Sequence, residues 1–186
     1  MSTITSRSGN LLKSDDVDVL VNTVNCIGPM GKGIALAFKN AFPENYKAFR
    51  IACKKGWVRP GRIHVHELPP ALCGAKYIFN FPTKRDWKDG SLMEDIEAGL
   101  VDLIRLCGKL KIKSIALPPL GCGNGGLDWR EVRPKIVAAL SDLPNLRVVL
   151  YDPPGFFEKT ATAPVKVPVT LVRARSAGRD GFVAPF

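Results

Sequence analysis

Long apolar runs are absent from this 186-residue chain. A helix that crosses a bilayer unaided needs about 18 to 20 successive apolar residues, and no stretch supplies them, so no membrane partner is expected. The opening, MSTITSRSGN, is polar and lacks the apolar centre of a secretory leader, which makes a cytoplasmic location the expectation. The five cysteines (Cys26, Cys53, Cys73, Cys107 and Cys122) are odd in number and scattered, and no C-x-x-C occurs. That argues against a disulfide framework or a zinc site and for buried free thiols. Histidine is scarce too: His64 and His66 share one strand face, but no third ligand has suitable spacing, and ordinary strand histidines with no metal are the expectation. Aromatic residues do not interleave with basic ones, so a single-strand-binding platform has no sequence signature here. Acidic residues are outnumbered, 17 against 27 basic, for a net charge of +10. Such a balance attracts phosphates, as in nucleic acid or nucleotides; a solubilising surface is the plainer alternative.

What is present is an ordinary globular composition, 46% hydrophobic and 24% charged, long enough for one domain with a sizeable core. VDVLVN (17–22) reads as a buried strand. KGIALAFKNAF (32–42) has helical spacing, and PENYKAFRIACKKG (43–56) opens on Pro43 and closes on lysines and Gly56, as helices do. GRIHVHEL (61–68) and KYIFNFP (76–82) alternate like strands. In 91–110, Ser91 and Glu94 predict a capping box at the start of a long helix. SIALPPL (114–120) is a further buried strand, 128–140 a helix and LRVVLYD (146–152) the last strand. Strands alternating with helices predict an α/β sandwich with a mostly parallel sheet. Residues 159–186 differ in character: five basic residues against one acidic, with prolines and little periodicity, predict a disordered tail or the start of a further segment.

Three stretches can carry chemistry. In VNTVNCIGPMGKGIA (21–35), Gly28, Gly31 and Gly33 lie between a strand end and a helix start. Glycine lets backbone N–H groups approach a ligand, and a helix N-terminus favours an anion. Asn22 and Asn25 leave the carboxyl end of the strand, where their amides can meet a sugar hydroxyl. A plain glycine-rich connection with Asx turns is the alternative. LPPLGCGNGGLDW (117–129) formally matches G-x-G-x-x-G, but too little chain follows for a dinucleotide fold; a second strand–glycine loop–helix unit able to cradle phosphate remains. In NFPTKRDWK (80–88), Lys84 follows a strand. Burial or a nearby cation can make such a lysine a nucleophile; by residue type alone a solvated surface lysine is the default.

Taken together, SGNLLKSDDVDVLVNTVNCIGPMGKGIALAFKNAFP, NFPTKRDW and ALPPLGCGNGGLDW resemble the macrodomains. Within that family the likeness is greatest to the DNA ADP-ribosyl glycohydrolases, antitoxins of DarT-type toxins and relatives of terminal ADP-ribose protein glycohydrolase. The likeness covers about residues 1–152, and the domain is expected over 1–158. It implies a three-layer α/β/α fold with a mixed, mostly parallel sheet, binding ADP-ribose as ligand or product with no further cofactor. By the same resemblance Lys84 is the catalytic lysine, and Asn25 contacts the distal ribose and orients its reacting carbon. The implied ADP-ribose contacts are Asn10 and Leu11, then Asn22, Thr23, Val24 and Asn25, then Gly31, Lys32, Gly33 and Ile34, with Thr83 beside the lysine. Gly121, Cys122, Gly123, Asn124, Gly125, Gly126 and Leu127 would meet the diphosphate.

The pattern is broken twice. Many macrodomains have Asp where Asn10 stands, which predicts a weaker, uncharged acceptor for the adenine amino group. The protein-directed relative carries a catalytic Asp where this chain has Gly125, which favours the DNA-directed branch and leaves the general acid/base unassigned. The implied function is removal of ADP-ribose from a DNA base, thymine first, by a monomer acting on single-stranded DNA opposite a DarT-type toxin. Hydrolysis of ADP-ribose from protein carboxylates and non-catalytic ADP-ribose binding are the alternatives.

Overall fold

The apolar run VDVL becomes the middle of a six-stranded sheet in a computed structural model that describes residues 1–70 and 74–156. The strands are β1 (Thr3–Arg7), β2 (Val19–Asn25), β3 (His64–Glu67), β4 (Tyr77–Lys84), β5 (Ser114–Leu117) and β6 (Arg147–Tyr151). The helices are α1 (Gly33–Ala41), α2 (Pro43–Lys54), α3 (Met93–Lys109) and α4 (Trp129–Leu140). The sheet order is β1-β6-β5-β2-β4-β3, parallel throughout except for β3 against β4.

Alternate residues of a strand face opposite sides of the sheet, and each side takes one helical layer. On one side Leu20, Ile78, Ala116 and Val149 pack around Phe38 of α1, and Val24 joins Phe49 and Ala52 of α2. On the other, α3 lies so close to β4 that a side chain at Gly99 would fall 2.2 Å from the Phe81 ring. α4 packs beside α3. The three layers and the mixed, mostly parallel sheet are those expected.

Several boundaries differ from the sequence reading. β2 runs on past Asn22 to Asn25, because the Asn22 amide finds buried partners and does not end the strand. β4 runs through Pro82 to Lys84. Its neighbour β3 pairs only as far as Asn80, so Pro82 sits where one side of β4 is free, an edge position where a missing N–H costs least. β1 was not anticipated: TITSR has one apolar residue, and its pairing to β6 makes it an edge strand. The capping box does not form. α3 starts at Met93 with no side-chain cap bond. Ser91 instead donates its N–H to Gly125 O at 2.9 Å, its hydroxyl is buried with no partner among the described residues, and Glu94 turns to Arg85. A tertiary contact has outcompeted the local cap.

Of the described cysteines Cys107 is buried, whereas Cys26, Cys53 and Cys122 are only half-buried; all are free. Cys73, the domain end at 158 and the basic tail 159–186 lie outside the described residues. Among the described residues no helix is long and apolar enough to cross a membrane.

Candidate functional site

β2, β4, β5 and β6 are parallel and end at one edge of the sheet, and beyond their carboxyl ends lies an open cavity of about 790 Å³. Open α/β sheets bind their ligands at such edges. Pro118 and Pro119 follow β5, and Pro153 and Pro154 follow β6; their fixed φ makes these walls stiff.

Asn25 and Lys84 close β2 and β4 as partners in register, after a shift at Val24/Asn25 that leaves Thr83 unmatched. Lys84 is half-buried in the cavity wall, and none of the ion pairs among the described residues takes up its ammonium. Its strand end is held from two directions. The Cys26 N–H donates to Arg85 O at 3.3 Å and the Cys26 thiol to Lys84 O at 3.4 Å. Arg85 grips Asp95 of α3 with Nε and Nη2, both at 3.0 Å, and that hydrogen bonding, with the attraction of the carboxylate, raises the guanidinium pKa. Burial, then the Asp95 charge, pushes the Cys26 thiol up to about 11, so it is a neutral donor and not a thiolate.

The Asn25 side chain shapes its own loop. Its Oδ1 accepts from Ile27 N (3.0 Å) and Gly28 N (2.8 Å), and its Nδ2 donates to Pro29 O at 2.8 Å. One N–H of the amide remains to meet a ligand.

The two glycine loops meet across the cavity. α1 opens on Gly33 in the left-handed region (φ +57°), after Lys32, with no side-chain cap. Its first-turn N–H groups at Gly33, Ile34 and Ala35 lie in the cavity wall, where the helix end favours an anion. A Cβ on Gly33 would stand 3.1 Å from the Asn124 amide of the second loop. That loop is tied internally by Leu127 N to Gly121 O (3.1 Å) and Gly126 N to Gly123 O (3.2 Å). The N–H groups of Gly123, Asn124 and Gly125 have no backbone acceptor among the described residues. A Cβ at Gly125 would lie 2.2 Å from Ser91 Oγ and 2.3 Å from Gly121 O, so no carboxylate side chain fits there. Lys32, Lys84 and Lys88 line the cavity, with no Asp or Glu among its described lining residues. Unpaired N–H groups, a helix start and lysines together suit an anion.

Thr23, Val24, Asn25, Gly31, Lys32, Gly33, Ile34, Thr83, Lys84 and the run Gly121 to Gly125 all line this cavity. Five residues named from the sequence do not. Asn22 is 0% exposed and lies under the floor: its Nδ2 donates to Asn80 Oδ1 at 2.9 Å, Asn80 pairs with Asn45 at 2.7 Å, and Asn80 Nδ2 meets His64 Nδ1 at 3.1 Å. Its amide is not presented to a sugar. Leu11 is a core residue, and Asn10 caps the short 3-10 turn Leu11–Lys13, accepting from Leu12 N at 3.0 Å. Gly126 and Leu127 serve the loop's internal hydrogen bonds.

A family model for the macro domain matches residues 21–136, the span that holds both glycine loops and Lys84. The chain is a macrodomain. A curated Thermus aquaticus protein named DNA ADP-ribosyl glycohydrolase is 49% identical over 169 residues, which is 91% of this chain and 46% of that protein. The solved macrodomain of Thermus aquaticus DarG superposes with a TM-score of 0.78 at 50% identity, covering 82% of this chain and 100% of that one. A Thermosipho africanus protein named a DNA ADP-ribosyl transferase–DNA ADP-ribosyl glycohydrolase fusion is 36% identical over 151 residues, 74% of this chain and 39% of the fusion. A solved Thermosipho africanus DarTG in complex with ADP-ribose has a TM-score of 0.75 at 33% identity, covering 81% of this chain and 42% of that one. The chain spans less than half the length of these curated relatives.

Residue-level reading of the macrodomain missed Trp87, 54% exposed in the cavity wall, together with Lys88 and the paired prolines. The available signals were a proline pair within two residues of the end of each of two buried strands, and a tryptophan three residues beyond the lysine.

Proposed function

We propose that this macrodomain removes ADP-ribose from a DNA base, thymine in the first instance, and so reverses the product of a DarT-type transferase. The observation that carries the reading is Lys84: a lysine at a pinned strand end, facing a cavity whose other walls suit a diphosphate. Relatives near half identity are named for this activity, and a related structure holds ADP-ribose. The DNA is single-stranded, since a base stacked in a duplex must first be flipped out to reach a cavity. The domain acts as a monomer in the cytoplasm; a fused relative supports its pairing with a DarT-type partner.

The Lys84 amine attacks the anomeric carbon that carries the base. The base leaves with the electron pair of the glycosidic bond and takes up a proton, and the sugar ring opens to a Schiff base with Nζ. Water adds to the imine, expels Lys84 and leaves ADP-ribose with a hydroxyl at that carbon. No further cofactor enters the scheme. Asn25 fixes the 26–29 loop and offers one N–H to the ribose, and the glycine loops hold the diphosphate. The closed space at Gly125 favours this reading over hydrolysis from protein carboxylates, because the acidic residue of that chemistry has no room there.

The test offers purified protein two substrates: a single-stranded oligonucleotide ADP-ribosylated on thymine, and a peptide ADP-ribosylated on glutamate. Release from the oligonucleotide, with little from the peptide, is the expected result. The reverse preference overturns the reading.

A further inference from the structure

We propose that Trp87 recognises the group to which ADP-ribose is attached, by stacking its indole on the nucleobase being released. The inference rests on the DNA reading above and names the residue that makes the site prefer a base.

Trp87 is a large apolar side chain left 54% exposed, in the wall of the same cavity as Lys84. It is carried on a built turn. Asp86 Oδ1 accepts from Lys88 N at 3.1 Å and Asp86 O from Asp89 N at 3.3 Å, while the preceding Arg85 is locked to Asp95. The indole is therefore presented by a fixed segment and not by a loose loop. The Lys88 ammonium stands 5.2 Å from the ring centroid, a cation beside an aromatic face.

The geometry of the substrate then decides what Trp87 can touch. Lys84 addresses the anomeric carbon, and the leaving group is bonded to that carbon. Whatever emerges from the cavity beside Lys84 is the nucleobase. A base is flat and stacks on indole, whereas a carboxylate ester has no comparable face. A phosphate flanking that base would meet Lys88, a cation already at the rim. Trp87 and Lys88 thus form a small platform for one base and its phosphate, which the wider sequence lacks as an extended pattern.

The test compares wild type with Trp87→Ala and Trp87→Phe. The measurements are kcat/KM on a thymine-ADP-ribosylated single-stranded oligonucleotide and Kd for free ADP-ribose. Trp87→Ala is expected to lower kcat/KM about tenfold to a hundredfold, with Kd for ADP-ribose within about twofold of wild type. Trp87→Phe recovers most of the loss, because a phenyl face still stacks. Unchanged turnover in Trp87→Ala overturns the inference. So does a parallel loss of ADP-ribose affinity, which would make Trp87 part of the ADP-ribose cradle. If wild type leaves the oligonucleotide intact, the DNA reading itself fails and this inference falls with it, a result visible before any variant is made.

Discussion

Asn25 and Lys84 stand as register partners at the ends of β2 and β4, and Thr83 is the residue skipped to bring them level. A bulge of this kind re-aims the side chain that follows it. Here it turns two strand ends into one site: the amide fixes a loop on one side and the amine faces the cavity on the other.

The second glycine loop gives a paired prediction. At Gly125 any Cβ collides with Ser91 Oγ and the Gly121 carbonyl, whereas at Gly123 it meets nothing within 4 Å. Gly125→Ala is expected to cost about 1–3 kcal/mol and to weaken ADP-ribose binding, as overpacking displaces the loop. Gly123→Ala should leave stability of the free protein within about 0.5 kcal/mol. Denaturant melts and ADP-ribose titrations of both variants check this; equal stability loss in the two would contradict it.

Under the site, Asn80 joins Asn22, Asn45 and His64. Asn80→Ala leaves several fully buried polar groups without partners, and a loss of about 2–4 kcal/mol is expected. Asn10→Ala, at an exposed cap, should cost about 1 kcal/mol or less. Chemical denaturation orders the two, and the reverse order would contradict the network.

The same network sets a pH dependence. Burial, then the nearby His66, lowers the His64 pKa from its ordinary 6.5. The unfolded chain therefore binds a proton that the folded protein refuses. Stability from this group is present above about 6.5 and is lost as pH falls through the lower folded value. His66 is also lowered, chiefly by burial, and acts in the same direction. Thermal melts from about pH 8 to about pH 5 should show Tm falling on acidification, with a shallower fall in His64→Gln. An unchanged slope in that variant would contradict the assignment.

Much of the site was legible because glycines between a strand and a helix have few other uses. Lys84 took its role from resemblance alone; its residue type said surface. The failures share one cause. Asn22 looked like a ligand group because its partner Asn80 lies on another strand and is itself held by Asn45 and His64 from two further elements. Ser91 looked like a cap until the glycine loop claimed its N–H. β1 has only Ile4 to announce it, and β6 supplies the rest through backbone pairing. Each is a long-range contact that local pattern does not encode.

The most direct test of the central claim compares wild type and Lys84→Ala on a single-stranded oligonucleotide carrying one ADP-ribosylated thymine, resolved on a gel, with free ADP-ribose binding measured in parallel. The account predicts that wild type restores the bare oligonucleotide while Lys84→Ala binds ADP-ribose but leaves the modified strand intact. A Lys84→Ala protein that still clears the strand at the wild-type rate would contradict it.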